Sequence, residues 1–182
     1  MKSLKIFLPA VFLLLSFTAM SGDNENNSTS VNWLSFEEAV SKAEDNPKKI
    51  FMYIYTDWCG FCKKMEAQTF SNPTIAKILN NNFYPVKFNA EQAETVSFKG
   101  YEFVNENPDQ RRSTHELAIA LLQGKMSYPS TVFFNEELMV ITALPGYYTP
   151  ETFEPRIMFF LKDVFLDNPD LDEYIEQYES PY

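Results

Sequence analysis

Apolar and polar positions alternate along the chain in blocks that predict its elements. Lys2 and Lys5 sit before or at the start of an apolar run over residues 6–15, which Pro9 interrupts and the small residues Ala19 and Ser21 follow. This is the pattern of a signal peptide over 1–21, and the run is far shorter than the ~20 residues that span a bilayer. Residues 22–32 are mostly Asp, Asn, Ser and Thr, with little to bury, and read as a flexible polar linker. Ser35 and Glu38 then form a capping box, with Phe36, Ala39, Val40 and Ala43 on one face of a helix that runs to Asp45. Residues 50–55 are continuously apolar or aromatic, the signature of a strand buried on both faces. Good helix formers follow from Cys59 to Thr69, a second helical segment carries Ile75, Ile78 and Leu79, and residues 83–88 supply the next strand. Strand, helix and strand in this order predict a parallel pair.

Between 89 and 113 the pattern dissolves into polar residues with scattered Phe98, Tyr101 and Phe103, which reads as an insertion. A second capping box, Ser113 to Glu116, is expected to start a helix carrying Leu117, Ala118, Leu121 and Leu122 that stops at Gly124. Strands over 130–134 and 139–144 are expected to form an antiparallel hairpin around Asn135, Glu136 and Glu137. Thr149 and Pro150 open a last long helix that buries Phe153, Ile157, Phe160, Leu161, Val164 and Phe165, with Pro155 expected to delay or kink its first turn. The tail, 167–182, holds six acids and no base, yet Leu171, Tyr174, Ile175 and Tyr178 recur at helical spacing behind Asp170, as in a short helix docked on its own domain.

Composition narrows the function classes. The 182 residues are 45% hydrophobic and 16% aromatic, enough for one domain with a real core. A net charge of −10 opposes any surface built to hold a phosphate backbone, so nucleic acid is not an expected partner. Removal of residues 1–21 would take away two lysines and no acid, leaving the chain still more acidic and with no stable membrane insertion. Two cysteines and one histidine are too few for a structural zinc site, so no metal is expected. His115 reads as an ordinary surface or capping residue.

The cysteines gain meaning from their position. Trp58-Cys59-Gly60-Phe61-Cys62-Lys63 stands where a buried strand turns into a helix. Unpaired amides and the positive end of the helix dipole favour a thiolate at Cys59, and such cysteines fall anywhere from about 3.5 to 7.5 in pKa. Cys62, three residues on and one turn deeper, is placed to resolve a mixed disulfide formed by an exposed Cys59. As a structural staple the pair would close only a short loop, worth about 2 kcal/mol. Redox chemistry is the stronger reading, with a structural disulfide, a zinc knuckle and two chance core cysteines as its alternatives.

The segment from Tyr55 to Met65 resembles the active site of the thioredoxin superfamily, most closely its exported thioredoxin-related members. The similarity extends in element order over about 33–166. It implies a thioredoxin-like α/β fold, a central mixed β-sheet flanked by helices, with 89–113 inserted before the cis-proline region. Tyr128-Pro129-Ser130 matches the family's cis-proline, where the backbone of Tyr128 would meet an extended substrate chain, and Gly146 matches a glycine beside the active site. The resemblance implies catalytic Cys59 and Cys62, with Trp58, Gly60, Phe61, Tyr128, Pro129 and Gly146 shaping substrate access. No cofactor beyond a redox-active Cys59–Cys62 disulfide is implied. The expected partners are protein thiols and disulfides and a redox partner protein, in the periplasm or as a secreted protein.

The departures matter as well. Phe61 replaces the proline of the commonest motif, which leaves the redox direction open, with reduction slightly favoured. Tyr53 stands where thioredoxin has a buried aspartate, and Lys87, lacking that carboxylate, reads as a solvent-facing strand lysine. A non-catalytic thioredoxin-like adaptor that binds extended polypeptide or a partner protein is the alternative function.

Overall fold

The computed structural model describes residues 30–181. The expected signal peptide and most of the polar linker lie outside them. In chain order the elements are α1 (Phe36–Asp45), β1 (Ile50–Tyr55), α2 (Gly60–Met65), α3 (Pro73–Asn82), β2 (Tyr84–Asn89), β3 (Val96–Phe98) and β4 (Tyr101–Phe103). There follow α4 (Glu116–Leu121), β5 (Ser130–Phe134), β6 (Val140–Pro145), α5 (Pro150–Leu161) and α6 (Leu171–Gln177).

β1 is buried along its length because it lies inside a mixed sheet of order β2-β1-β5-β6. It pairs in parallel with β2, with Tyr53 opposite Lys87, and antiparallel with β5, with Tyr53 opposite Thr131. Successive side chains of a strand point to opposite faces, so β1 feeds two cores. Phe51 and Tyr53 meet Phe70, Phe83, Phe133 and Phe153 on the face covered by α3 and α5. Ile50, Met52 and Ile54 meet Phe36, Val86, Leu117 and Phe134 on the face covered by α1 and α4. β5 and β6 form the expected antiparallel hairpin, and β6 is the half-exposed edge.

Several expectations need correction. Order reaches further upstream than Trp33, since Val31 is buried and Asn32 donates its N–H to Asn80 Oδ1 at 2.8 Å. The stretch 89–113 contains the hairpin β3–β4, closed by Lys99 and Gly100 at φ 50° and 78°. Such paired positive φ values suit a two-residue hairpin turn, and Phe98 packs edge-on to Phe36 at 5.0 Å. The Ser113–Glu116 capping box does not form. His115 caps α4 instead, its Nδ1 accepting from Leu117 N at 3.1 Å, while Glu116 accepts from Val104 N at 3.0 Å. Buried and edge-on to Phe88, His115 is a capping residue and not a surface one. The tail, by contrast, follows its pattern: it forms α6 behind an Asp170 cap and docks on α5, with Tyr174 and Phe159 ring centroids 5.2 Å apart.

Candidate active site

The site grows out of the C-terminal end of β1. Cys59 is the N-cap of α2, and its Sγ accepts from one of the first-turn amides, Cys62 N, at 3.0 Å. Cys59 and Cys62 form a disulfide with S–S 2.07 Å and Cα atoms 5.2 Å apart. Both cysteines are buried, Cys59 at 5% and Cys62 at 0% exposure, so the first cysteine is less open than its position predicts. Exposure passes instead to the flanking side chains, Trp58 at 50% and Phe61 at 63%. A Cβ on Gly60 would meet nothing within 4 Å, so the space directly over this residue is open.

Two aromatic arms frame the disulfide. On one side Trp58 meets Tyr128 edge-on at 6.0 Å. The Tyr128–Pro129 bond is cis, and Pro129 O accepts from Gly146 N at 2.8 Å. Gly146 has φ 108°, a conformation that favours glycine. On the other side Phe61 lies 6.3 Å from Tyr147, whose ring also carries the Lys64 ammonium at 4.5 Å and whose hydroxyl donates to Gln68 at 2.6 Å. Trp58, Gly60, Phe61, Tyr128, Pro129 and Gly146 are thus linked to one another or to the helix start.

Beneath Cys62 the structure corrects the reading of Lys87. The helix widens into a π turn over Glu66–Phe70, and Glu66 pairs with Lys87 Nζ at 2.8 Å. Tyr53 OH lies 3.2 Å from Cys62 O and 3.3 Å from Glu66 Oε1, donating within this pair of acceptors. Burial first, and then the Glu66 charge, push the Tyr53 phenol far above its usual range, so it stays protonated. Lys87 also lies over the Tyr55 ring at 4.6 Å. Glu66 was visible in principle, because it lies four residues beyond Cys62 on the same helix face.

Two more residues come from the inserted stretch. Glu91 Oε1 accepts from Trp58 Nε1 at 2.9 Å, and the Arg112 guanidinium lies over the Trp58 ring at 4.8 Å. No local pattern announces them, since their contact depends on the path of the chain between 89 and 113. Among the described residues no group of three or more His, Cys, Asp or Glu could hold a metal ion, and no helix is long and apolar enough to cross a membrane.

A Cys-x-x-Cys disulfide at a strand-to-helix junction, with a cis-proline beside the tryptophan that precedes it, defines a thioredoxin-fold dithiol–disulfide protein. The model of the thioredoxin-like domain matches residues 36–178, and the chain belongs to that family. An uncharacterized protein of Caenorhabditis elegans is 32% identical over 66% of this chain and 14% of its own length. The thiol:disulfide interchange protein DsbD of Salmonella choleraesuis is 34% identical over 37% of this chain and 10% of its own length. The chain therefore spans a small part of these relatives. A thioredoxin-fold protein from Helicobacter pylori superposes with a TM-score of 0.55 at 17% identity, covering 78% of this chain and 96% of that one, which agrees in fold.

Proposed function

We propose that this protein is an exported thiol-disulfide oxidoreductase that exchanges disulfides with protein substrates, favouring the reductase direction. The observation that carries the reading is the Cys59–Cys62 disulfide with Cys59 as N-cap, its sulfur receiving the Cys62 amide at 3.0 Å. Amides and dipole stabilise a Cys59 thiolate. In the reduced protein that thiolate attacks a substrate disulfide, forming a mixed disulfide and releasing one substrate thiolate. The Cys62 thiolate then attacks Cys59 Sγ, releases the second substrate thiolate and closes the Cys59–Cys62 bond. Two electrons pass from protein to substrate, and a dithiol partner protein returns them in a second exchange.

Trp58, Phe61, Tyr128 and Pro129 form the surface against which an extended substrate chain lies, the backbone at Tyr128 offering strand-like pairing. Gly60 and Gly146 keep the approach clear. Export rests on the charged, apolar and small-residue pattern of 1–21, and the periplasm is the proposed compartment. The reductase direction rests on the likeness of Trp-Cys-Gly-x-Cys-Lys to the thioredoxin motif, and interchange on the name of the DsbD relative.

A glutathione redox titration read by alkylation and mass shift tests the reading. The expected result is a potential in the range of reductases, about −270 to −200 mV, and loss of exchange in Cys59→Ser. A pair poised below about −300 mV, with an ordinary thiol pKa at Cys59, identifies a structural disulfide and overturns it.

A further inference from the structure

The inserted stretch is tied down at both ends beside Trp58. Asn105, 6% exposed, donates through Nδ2 to the carbonyls of Glu91, Gln92 and Ser113 at 3.3, 3.3 and 3.0 Å. Its Oδ1 accepts from Ser113 Oγ at 2.6 Å. One buried amide thereby joins the segment that carries Glu91 to the segment that carries Arg112. Arg112 sits at φ 64°, an unusual conformation for a residue with a Cβ. Glu91 and Arg112, with Trp58, Thr114, Met126 and Tyr128, line a pocket of ≈ 490 Å³ at Trp58, the residue before Cys59.

The two charges of this pocket are not equivalent. Glu91 is committed to the indole N–H of Trp58. Arg112 is exposed, makes no ion pair among the described residues, and holds its guanidinium carbon over the Trp58 ring at 4.8 Å. A cation–π contact uses no hydrogen bond, so the guanidinium keeps N–H donors for a partner, in the fork geometry that fits a carboxylate. Arg111, likewise exposed, adjoins Arg112 in sequence and adds a second positive charge to this segment of an otherwise acidic protein.

We infer that the insertion builds a specificity subsite, in which Arg112 receives a carboxylate of the substrate polypeptide next to its reacting cysteine. This rests on the exchange reaction proposed above and names its preferred substrate class: extended segments with Asp or Glu beside the disulfide. Arg112 is a specificity residue here and takes no part in the electron transfer.

The test uses the reduced protein and disulfide-linked dimers of short peptides, acetylated and amidated, with Glu, Gln or Lys beside the cysteine. A further Gln peptide keeps a free C-terminal carboxylate, to separate a side-chain carboxylate from a chain end. The thiol released is measured by alkylation. The expected order is Glu over Gln over Lys, with about fivefold between the extremes at low salt, shrinking as ionic strength rises. Arg112→Gln brings the ratio to about one, whereas Arg111→Gln retains it. Faster reaction of the Gln peptide with a free C-terminus than of the Glu peptide moves the subsite to chain ends and overturns the internal-segment assignment. Equal rates in the unmodified protein, a preference for Lys, or equal loss in Arg111→Gln overturn the subsite while leaving the exchange reaction standing. Failure to reduce any peptide overturns the exchange reading itself.

Discussion

Lys87 Nζ stands 2.8 Å from Glu66 Oε2, one element away from Cys62, so the strand lysine and the helix carboxylate form an ion pair under the helix that carries the disulfide. Tyr53 OH joins that pair to the backbone of Cys62. Both charged partners are about one-third exposed, so Glu66→Gln is expected to cost only about 0.5 kcal/mol. Tyr53→Phe removes a buried hydroxyl and is expected to cost about 1 kcal/mol. Because the two share a hydrogen bond, the double variant should cost less than the sum, as urea unfolding of the four proteins would show. Strict additivity would mean that Tyr53 and Glu66 do not act together.

His115 predicts a pH dependence. Its Nδ1 accepts from Leu117 N while Nε2 lies 3.0 Å from Glu94 O, an arrangement that a neutral ring with its proton on Nε2 satisfies. Burial lowers its pKa, outweighing the Glu94 carbonyl and the charges of Glu116, Glu37 and Glu94, which act upward. The unfolded chain therefore binds this proton more readily than the folded one. Stability should be full above about pH 6.5 and fall as the pH drops below that value toward the lower folded pKa. His115 is the chain's only histidine, so denaturation midpoints between pH 5 and 7 isolate it. His115→Asn keeps a side chain able to cap α4 and should flatten the profile; an unchanged slope would assign the dependence elsewhere.

The elements that the sequence pattern revealed are those whose signal is local. The continuous run at 50–55 announced β1 because a strand buried on both faces needs no polar side. The helix-start cysteines followed from the junction between that run and the helix formers after it. What stayed hidden depends on distant partners. Val96, Phe98, Tyr101 and Phe103 alternate around Lys99-Gly100, but the hairpin is short and its buried side chains are justified only by distant partners such as Phe36 and Phe134. Ser113 and Glu116 match a capping box in spacing, yet the Asn105 amide takes the serine and Val104 N takes the glutamate, leaving the cap to His115. Arg112 reaches Trp58 only because the chain folds back there.

Asn105→Ala should release both ends of the insertion together. It removes five hydrogen-bond contacts around one buried amide and is expected to cost about 1–3 kcal/mol. Amide exchange should accelerate over 91–113 while β1 and β5 stay protected. Acceleration spread evenly over the whole chain would instead make Asn105 part of the global core.

Truncation after Asn168 should destabilise the domain although it removes an acidic, half-exposed tail. Glu154 is 8% exposed within α5, and its Oε1 accepts from Tyr178 OH at 2.7 Å and Ser180 Oγ at 2.6 Å. Tyr174 covers Phe159 from the same side. Deleting the tail opens apolar surface on α5 and strips two donors from a carboxylate folded under it, a loss of about 2 kcal/mol by urea unfolding. Two point variants separate the causes: Tyr178→Phe removes one donor and keeps the ring, whereas Tyr174→Ala removes the cover and keeps both donors. If the truncated protein unfolds at the same urea concentration as the full chain, α6 is not docked in solution, and the tail is left to another role.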